Sequence, residues 1–157
     1  MKQFLRALFI FHFSFFIFHS VFSQPISKGK FRQLFTQGNL MMLDNFHDTA
    51  VKTFLKLYTA DPSNANVNYK IGVCYLHLPA ERLKAIPYLE NAIKQTTGNY
   101  LEDEPNEKNA PEEALYYLGQ AYHYGYRFDE AMEQFKKYRE IIGKWNMNLV
   151  KEIDRWT

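Results

Sequence analysis

Three glycines impose a register that few folds can satisfy. Gly38 and Gly72 stand 34 residues apart, and Gly119 follows 47 later. Twelve residues after Gly38 comes Ala50, with Phe54 and Leu57 four and seven further on and Pro62 ending the run. Thirteen after Gly72 comes Ala85, then Leu89 and Ala92 at the same two offsets; twelve after Gly119 comes Ala131, then Phe135 and Tyr138. A residue without a side chain is needed where two helices cross closely. A small alanine lets the second helix nest on the first, and positions four and seven later share its buried stripe. From Phe31 onward the chain reads as pairs of amphipathic helices, with no convincing two-residue alternation to mark a strand.

Residues 31–145 resemble the tetratricopeptide repeat family, whose 34-residue period they share. Repeat one carries the resemblance through Leu34, Gly38, Met41, Ala50, Phe54, Leu57 and Pro62. Repeat two carries it through Ile71, Gly72, Tyr75, Ala85, Leu89 and Ala92, and repeat three through Leu115, Leu118, Gly119, Tyr122, Ala131, Phe135 and Tyr138. The implied fold is all-α, a helical-hairpin solenoid of about three repeats over residues 31–64, 65–95 and 111–143. Gly38, Ala50, Phe54, Pro62, Gly72, Ala85, Leu89, Gly119, Ala131 and Phe135 are the expected packing positions. Leu149, Val150, Ile153 and Trp156 form a further stripe at helical spacing, so residues 145–157 are expected to cap the last repeat.

Two departures from the period matter. Repeat two has one extra residue in its turn (Leu78-Pro79-Ala80-Glu81), and Pro87 must then fall in the first turn of a helix starting near Lys84. The second departure is an insertion over residues 96–110, with TTGNYLEDEPNEKN at 96–109. Its four acids face one base, Lys108, and its oxygen-bearing residues lack the alternating spacing of a calcium loop. A solvated, mobile loop is expected. Pro111-Glu112-Glu113 is expected to open the next helix, with proline near its first position and acids favoured by the helix dipole.

The N-terminus is a different material. Eight of the 14 phenylalanines fall in the first 22 residues, whereas all 11 tyrosines lie at or beyond Tyr58. Lys2 and Arg6 precede an apolar stretch from Leu8 to Phe18, and Ser23 offers a small residue before Gln24-Pro25. That order describes a secretory signal peptide over residues 1–23, followed by a short linker over 24–30. An 11-residue stretch, broken by His12 and Ser14, is short for a membrane-spanning helix, which needs about 20. Export to the periplasm or outer-membrane surroundings is therefore expected, with membrane contact only through the signal peptide or partners. Without Lys2 and Arg6 the formal charge falls from +2 to zero, which leaves nothing to attract nucleic acid. The exported repeats and the KEIDRW exit also resemble the front of longer Gram-negative cell-envelope proteins, which continue into a propeller-like and an outer-membrane-protein-A-like peptidoglycan-binding domain. Neither later domain lies within residues 1–157, but the resemblance leaves a second reading, a structural spacer at the front of such a protein.

Catalytic chemistry is poorly supplied. No phosphate loop, dinucleotide fingerprint or nucleophile elbow is present, and His47, His77 and His123 lie outside any zinc-protease or CxxC context. Cys74 is read as a buried thiol. No enzyme, metal, cofactor or small-molecule substrate is expected. The resemblance instead implies binding of a protein or peptide along the first helix of each repeat. By family position, that strip takes Arg32, Phe35, Asn39 and Met42 from repeat one. Repeat two contributes Asn66, Tyr69, Val73 and Leu76, and repeat three Glu113, Tyr116, Gln120 and His123. Some of these aromatics are expected to pack between repeats instead. Family members that grip a terminal carboxylate use lysine, arginine and asparagine in this strip. Asn39 matches one such position, but Phe35 and Tyr116 stand where a basic clamp would sit, so an apolar or aromatic segment is the expected partner.

Overall fold

The computed structural model describes residues 26–143, 150, 151 and 153–155. The signal peptide expected over residues 1–23 lies outside them, as do Leu149 and Trp156 of the capping stripe. Six α-helices are found among the described residues: α1 (Lys28–Leu43), α2 (His47–Ala60), α3 (Ala65–Leu76), α4 (Ala85–Ala92), α5 (Ala114–Tyr124) and α6 (Phe128–Ile142). α1 starts three residues before Phe31 because the Ser27 hydroxyl accepts from the Lys30 amide. Asn64 caps α3 in the same way, accepting from Val67 N at 3.0 Å. α2 ends at Ala60, with Pro62 exposed just beyond its C-cap, Asp61.

The helices pack as consecutive hairpins. α2 contacts both α1 and α3, α4 contacts both α3 and α5, and α6 closes on α5. Each crossing is made at a glycine. A Cβ at Gly38 would approach Phe54 Cζ to 2.6 Å, and one at Gly119 would approach Phe135 Cε1 to 2.5 Å. At Gly72 it would overlap the Leu89 side chain. Ala50, Phe54, Ala85, Leu89, Ala131 and Phe135 are all buried between the paired helices.

The turns after α1 and α5 are the same device. Phe46 N donates to Met41 O at 2.8 Å and Asn45 N to Met42 O at 3.0 Å; Arg127 N donates to Tyr122 O at 2.9 Å and Tyr126 N to His123 O at 3.1 Å. This pattern terminates a helix through one left-handed residue. Asn45 (φ 62°) and Tyr126 (φ 58°) take that role, each seven positions after its crossing glycine. The equivalent position in repeat two is Pro79, which has no N–H and cannot reach positive φ. The chain there takes a longer path through a 3₁₀ turn, Arg82–Lys84, before α4 begins at Ala85. Pro87 consequently sits in the first turn of α4.

Two expectations fail after α4. Thr96–Thr97 (β1) pairs in parallel with Ala110–Pro111 (β2), a short strand pair that the helical pattern did not announce. Pro111 belongs to that pair and does not open α5, which starts at Ala114 with Glu113 at its N-cap. The extended backbone at Ala110, whose N–H donates to Gln95 O at 2.8 Å, and the burial of Ala110 and Pro111 hold this segment out of the helix.

At the other end, Val150, Lys151 and Ile153 are helical, and the side chains of Val150 and Ile153 are buried. Arg139 Nε on α6 donates to Asp154 Oδ1 at 3.1 Å. Among the described residues no helix is long and apolar enough to cross a membrane.

Candidate functional site

The first helices of the three hairpins, α1, α3 and α5, carry the strip expected to bind a partner. α3 is buried along its whole length, from Ala65 to Leu76. Packing of α2 and α4 on its flanks explains part of this. The rest comes from the insertion, which lies across the strip and is not the free solvated loop expected of so acidic a run.

Three polar residues of α1 and α3, Asn39, Asn66 and Lys70, organise the contact. Asn39 Nδ2 donates to Glu102 O and to Asp103 Oδ1, both at 3.3 Å. Asn66 Nδ2 donates to Glu107 O at 3.1 Å, its backbone N–H donates to Lys108 O at 3.1 Å, and its Oδ1 accepts from the Tyr100 hydroxyl at 2.6 Å. Lys70, with a side chain only 2% exposed, places Nζ 3.1 Å from Glu102 Oε1. The same ammonium lies 6.0 Å from the Tyr69 ring centroid and 5.9 Å from that of Tyr100. The two rings meet edge to face at 6.0 Å, and burial pushes both phenols well above their ordinary pKa. Outside the strip, Lys108 Nζ reaches Asp61 Oδ2 at 3.2 Å and ties the end of the insertion to the α2–α3 turn.

The other expected strip residues divide into two groups. Phe35 is fully enclosed, edge to face with Phe54 at 6.1 Å, so it belongs to the hairpin core and not to a binding surface. Tyr116 is buried against Phe135 and Tyr138, and Val73 and Leu76 are buried in α3. Arg32 is exposed, whereas Met42, Glu113, Gln120 and His123 are half-buried. Burial raises the Glu113 pKa, the Glu102 charge raises it further, and a hydrogen bond with Tyr69 opposes both.

Between the insertion and the helices a cavity of about 280 Å³ remains, lined by Asn39, Met42, Lys70, Val73, Glu102 and Asp103 and by two stacked histidines. The His47 and His77 rings are 4.1 Å apart and tilted by only 9°. Burial, and then the His77 charge, hold the His47 pKa below its usual value. Cys74 is fully buried, and burial pushes its thiol up to about 12, so it supplies no nucleophile. Among the described residues no cluster of three or more His, Cys, Asp or Glu is placed to hold a metal ion.

Neither a family model nor a curated sequence matches the chain. Solved structures do. The first TPR of Spaghetti (RPAP3) bound to the HSP90 peptide SRMEEVD is 18% identical with a TM-score of 0.61, over 85% of this chain and 97% of that one. The first TPR domain of human RPAP3, solved by NMR, is 19% identical with a TM-score of 0.56, over 78% of this chain and 88% of that one. The fold is a tetratricopeptide-repeat array. The chain's own acidic segment lies across the α1 and α3 part of the strip.

Lys70, Tyr100 and Glu102 were not among the residues the sequence singled out. Lys70 is one position after Tyr69, off the family's strip positions, and Tyr100 and Glu102 fall in a run whose composition reads as solvated. The usable signal was Tyr100 itself, the one aromatic residue in a mostly polar insertion.

Proposed function

We propose that this chain is a non-catalytic protein-interaction scaffold that holds an extended peptide segment of a partner against α1, α3 and α5. The observation that carries this reading is how that face treats the chain's own residues 99–108. Side-chain amides of Asn39 and Asn66 take main-chain carbonyls, and Lys70 takes a carboxylate. Amides reading carbonyls recognise any extended backbone, whereas the lysine adds a preference for an acidic side chain. The TPR neighbour solved with a bound peptide supports the same reading. The setting proposed is the cell envelope, supported by the charged, apolar and small-residue order of residues 1–23.

A photo-crosslinking residue in place of Gln120, half-buried on α5, is expected to capture a protein partner in cells. The same residue in place of Lys136, exposed on α6, is expected to capture none. Equal capture at both positions removes the face assignment. Mass spectrometry of the mature chain is expected to begin at Gln24, and a chain beginning at Met1 overturns cleavage and favours an uncleaved N-terminal anchor.

A further inference from the structure

Resting on that interaction reading, we propose that residues 99–108 are a displaceable internal occupant, competing with an external acidic peptide for Asn39, Asn66 and Lys70. Three observations carry this.

The first is the chemistry of the contact. What the insertion offers is three main-chain carbonyls, of Glu102, Glu107 and Lys108, two carboxylates, of Glu102 and Asp103, and the Tyr100 hydroxyl. An extended external segment with acids and a tyrosine at the matching places offers the same groups, and against such a segment the insertion's advantage is its tether.

The second is that the fit is incomplete. Asn39 Oδ1 is buried with no hydrogen-bond partner among the described residues, and the cavity beside it stays partly open to solvent and unfilled by the insertion. A ligand that donates to this oxygen and reaches between Met42 and Val73 satisfies groups that the insertion leaves over.

The third is that the grip is light. Leu101 is 60% exposed and the Glu102 side chain 70% exposed, which leaves Tyr100 as the aromatic anchor. Segments with few buried apolar contacts open at low free energy, well before the whole domain unfolds. Opening also strands no charge, because Lys70 is covered by the insertion itself and returns to water when the insertion leaves.

The probe is the free labelled peptide NYLEDEPNEK, identical to residues 99–108. Fluorescence anisotropy compares its binding to the intact chain and to a chain in which those ten positions are Gly and Ser. Binding is expected to be at least tenfold tighter in the Gly/Ser chain, and Lys70→Met in that background is expected to remove the gain. A full-length variant, Tyr100→Ala with Glu102→Gln, keeps the tether and the insertion's length. It is expected to fall between the two, with faster amide exchange at Asn66 than in the intact chain. It carries the test alone if the Gly/Ser chain does not fold. Equal affinity for the peptide across folded variants, or no binding to any of them, overturns the proposal. Crosslinking from Gln120 separates the two readings: capture that persists alongside a negative peptide result leaves the scaffold standing and removes only the internal occupant.

Discussion

Phe54 lies over Gly38 so closely that a methyl group on that backbone would meet the ring at 2.6 Å. The contact joins α1 to α2 and recurs as Phe135 over Gly119 and Leu89 over Gly72. Gly38→Ala should therefore cost about 1–3 kcal/mol by overpacking. Adding Phe54→Leu, whose smaller side chain makes room, should recover part of that loss. Urea unfolding of the single and double variants measures both, and a Gly38→Ala chain as stable as its parent contradicts the crossing described.

Tyr126 makes the opposite case, a backbone strained for want of a glycine. It holds φ 58° at the end of α5 with a side chain 82% exposed, so little packing repays the left-handed conformation. Tyr126→Gly should raise stability by about 1 kcal/mol, the cost of that conformation for a residue with a Cβ. Thermal melts decide the sign. An unchanged or lower melting temperature shows that the ring contact with Phe128 at 6.1 Å outweighs the strain.

These two residues also show what sequence could and could not reveal. The hairpins were legible because each is specified by neighbours within about twenty positions, and glycine, alanine and the +4 and +7 stripe recur. The insertion was not, because its partners are remote: Asp103 meets Asn39, and Tyr100 meets Asn66. Helical period says nothing about contacts of that kind. Lys70 was missed for a related reason, since a lysine reads as solvated until the segment that covers it is known. Phe35 was placed on the binding strip by family position, whereas its ring is locked against Phe54 inside the hairpin.

The stacked histidines predict a pH response. His47 titrates below its usual value in the folded chain, so the unfolded chain binds more protons once the pH falls under about 6.5. The stability this site contributes is complete above that pH and is lost as the pH drops toward the folded value. His47→Phe should flatten that part of the stability profile between pH 7.5 and 5.5, followed by urea midpoints. A profile as steep as the parent's places the response elsewhere.

Lys70 and Glu102 should respond unequally to neutralisation. Glu102→Gln leaves a covered ammonium without its carboxylate and should cost about 1–2 kcal/mol, less than a wholly buried pair because Glu102 faces water. Lys70→Met removes the charge that needs the partner and should stay within about 1 kcal/mol of the parent. Losses of equal size would falsify the view that Lys70 is the member the pair protects.

Cys74 should be silent to thiol reagents. With its pKa raised to about 12 by burial, it should react with Ellman's reagent only after denaturant is added. Rapid labelling of the folded chain contradicts its position inside α3.

The parallel pairing of Thr96–Thr97 with Ala110–Pro111 has a consequence for how such a molecule can change over generations. The insertion leaves and re-enters the array at one point, so its two ends stay together whatever lies between them. Closing a longer loop costs little extra, about 0.6 kcal/mol per doubling of length. Residues can be added, removed or exchanged there while the helices and their glycine crossings stay where they are. The array behaves as a chassis, and the stretch between the paired strands as its interchangeable part.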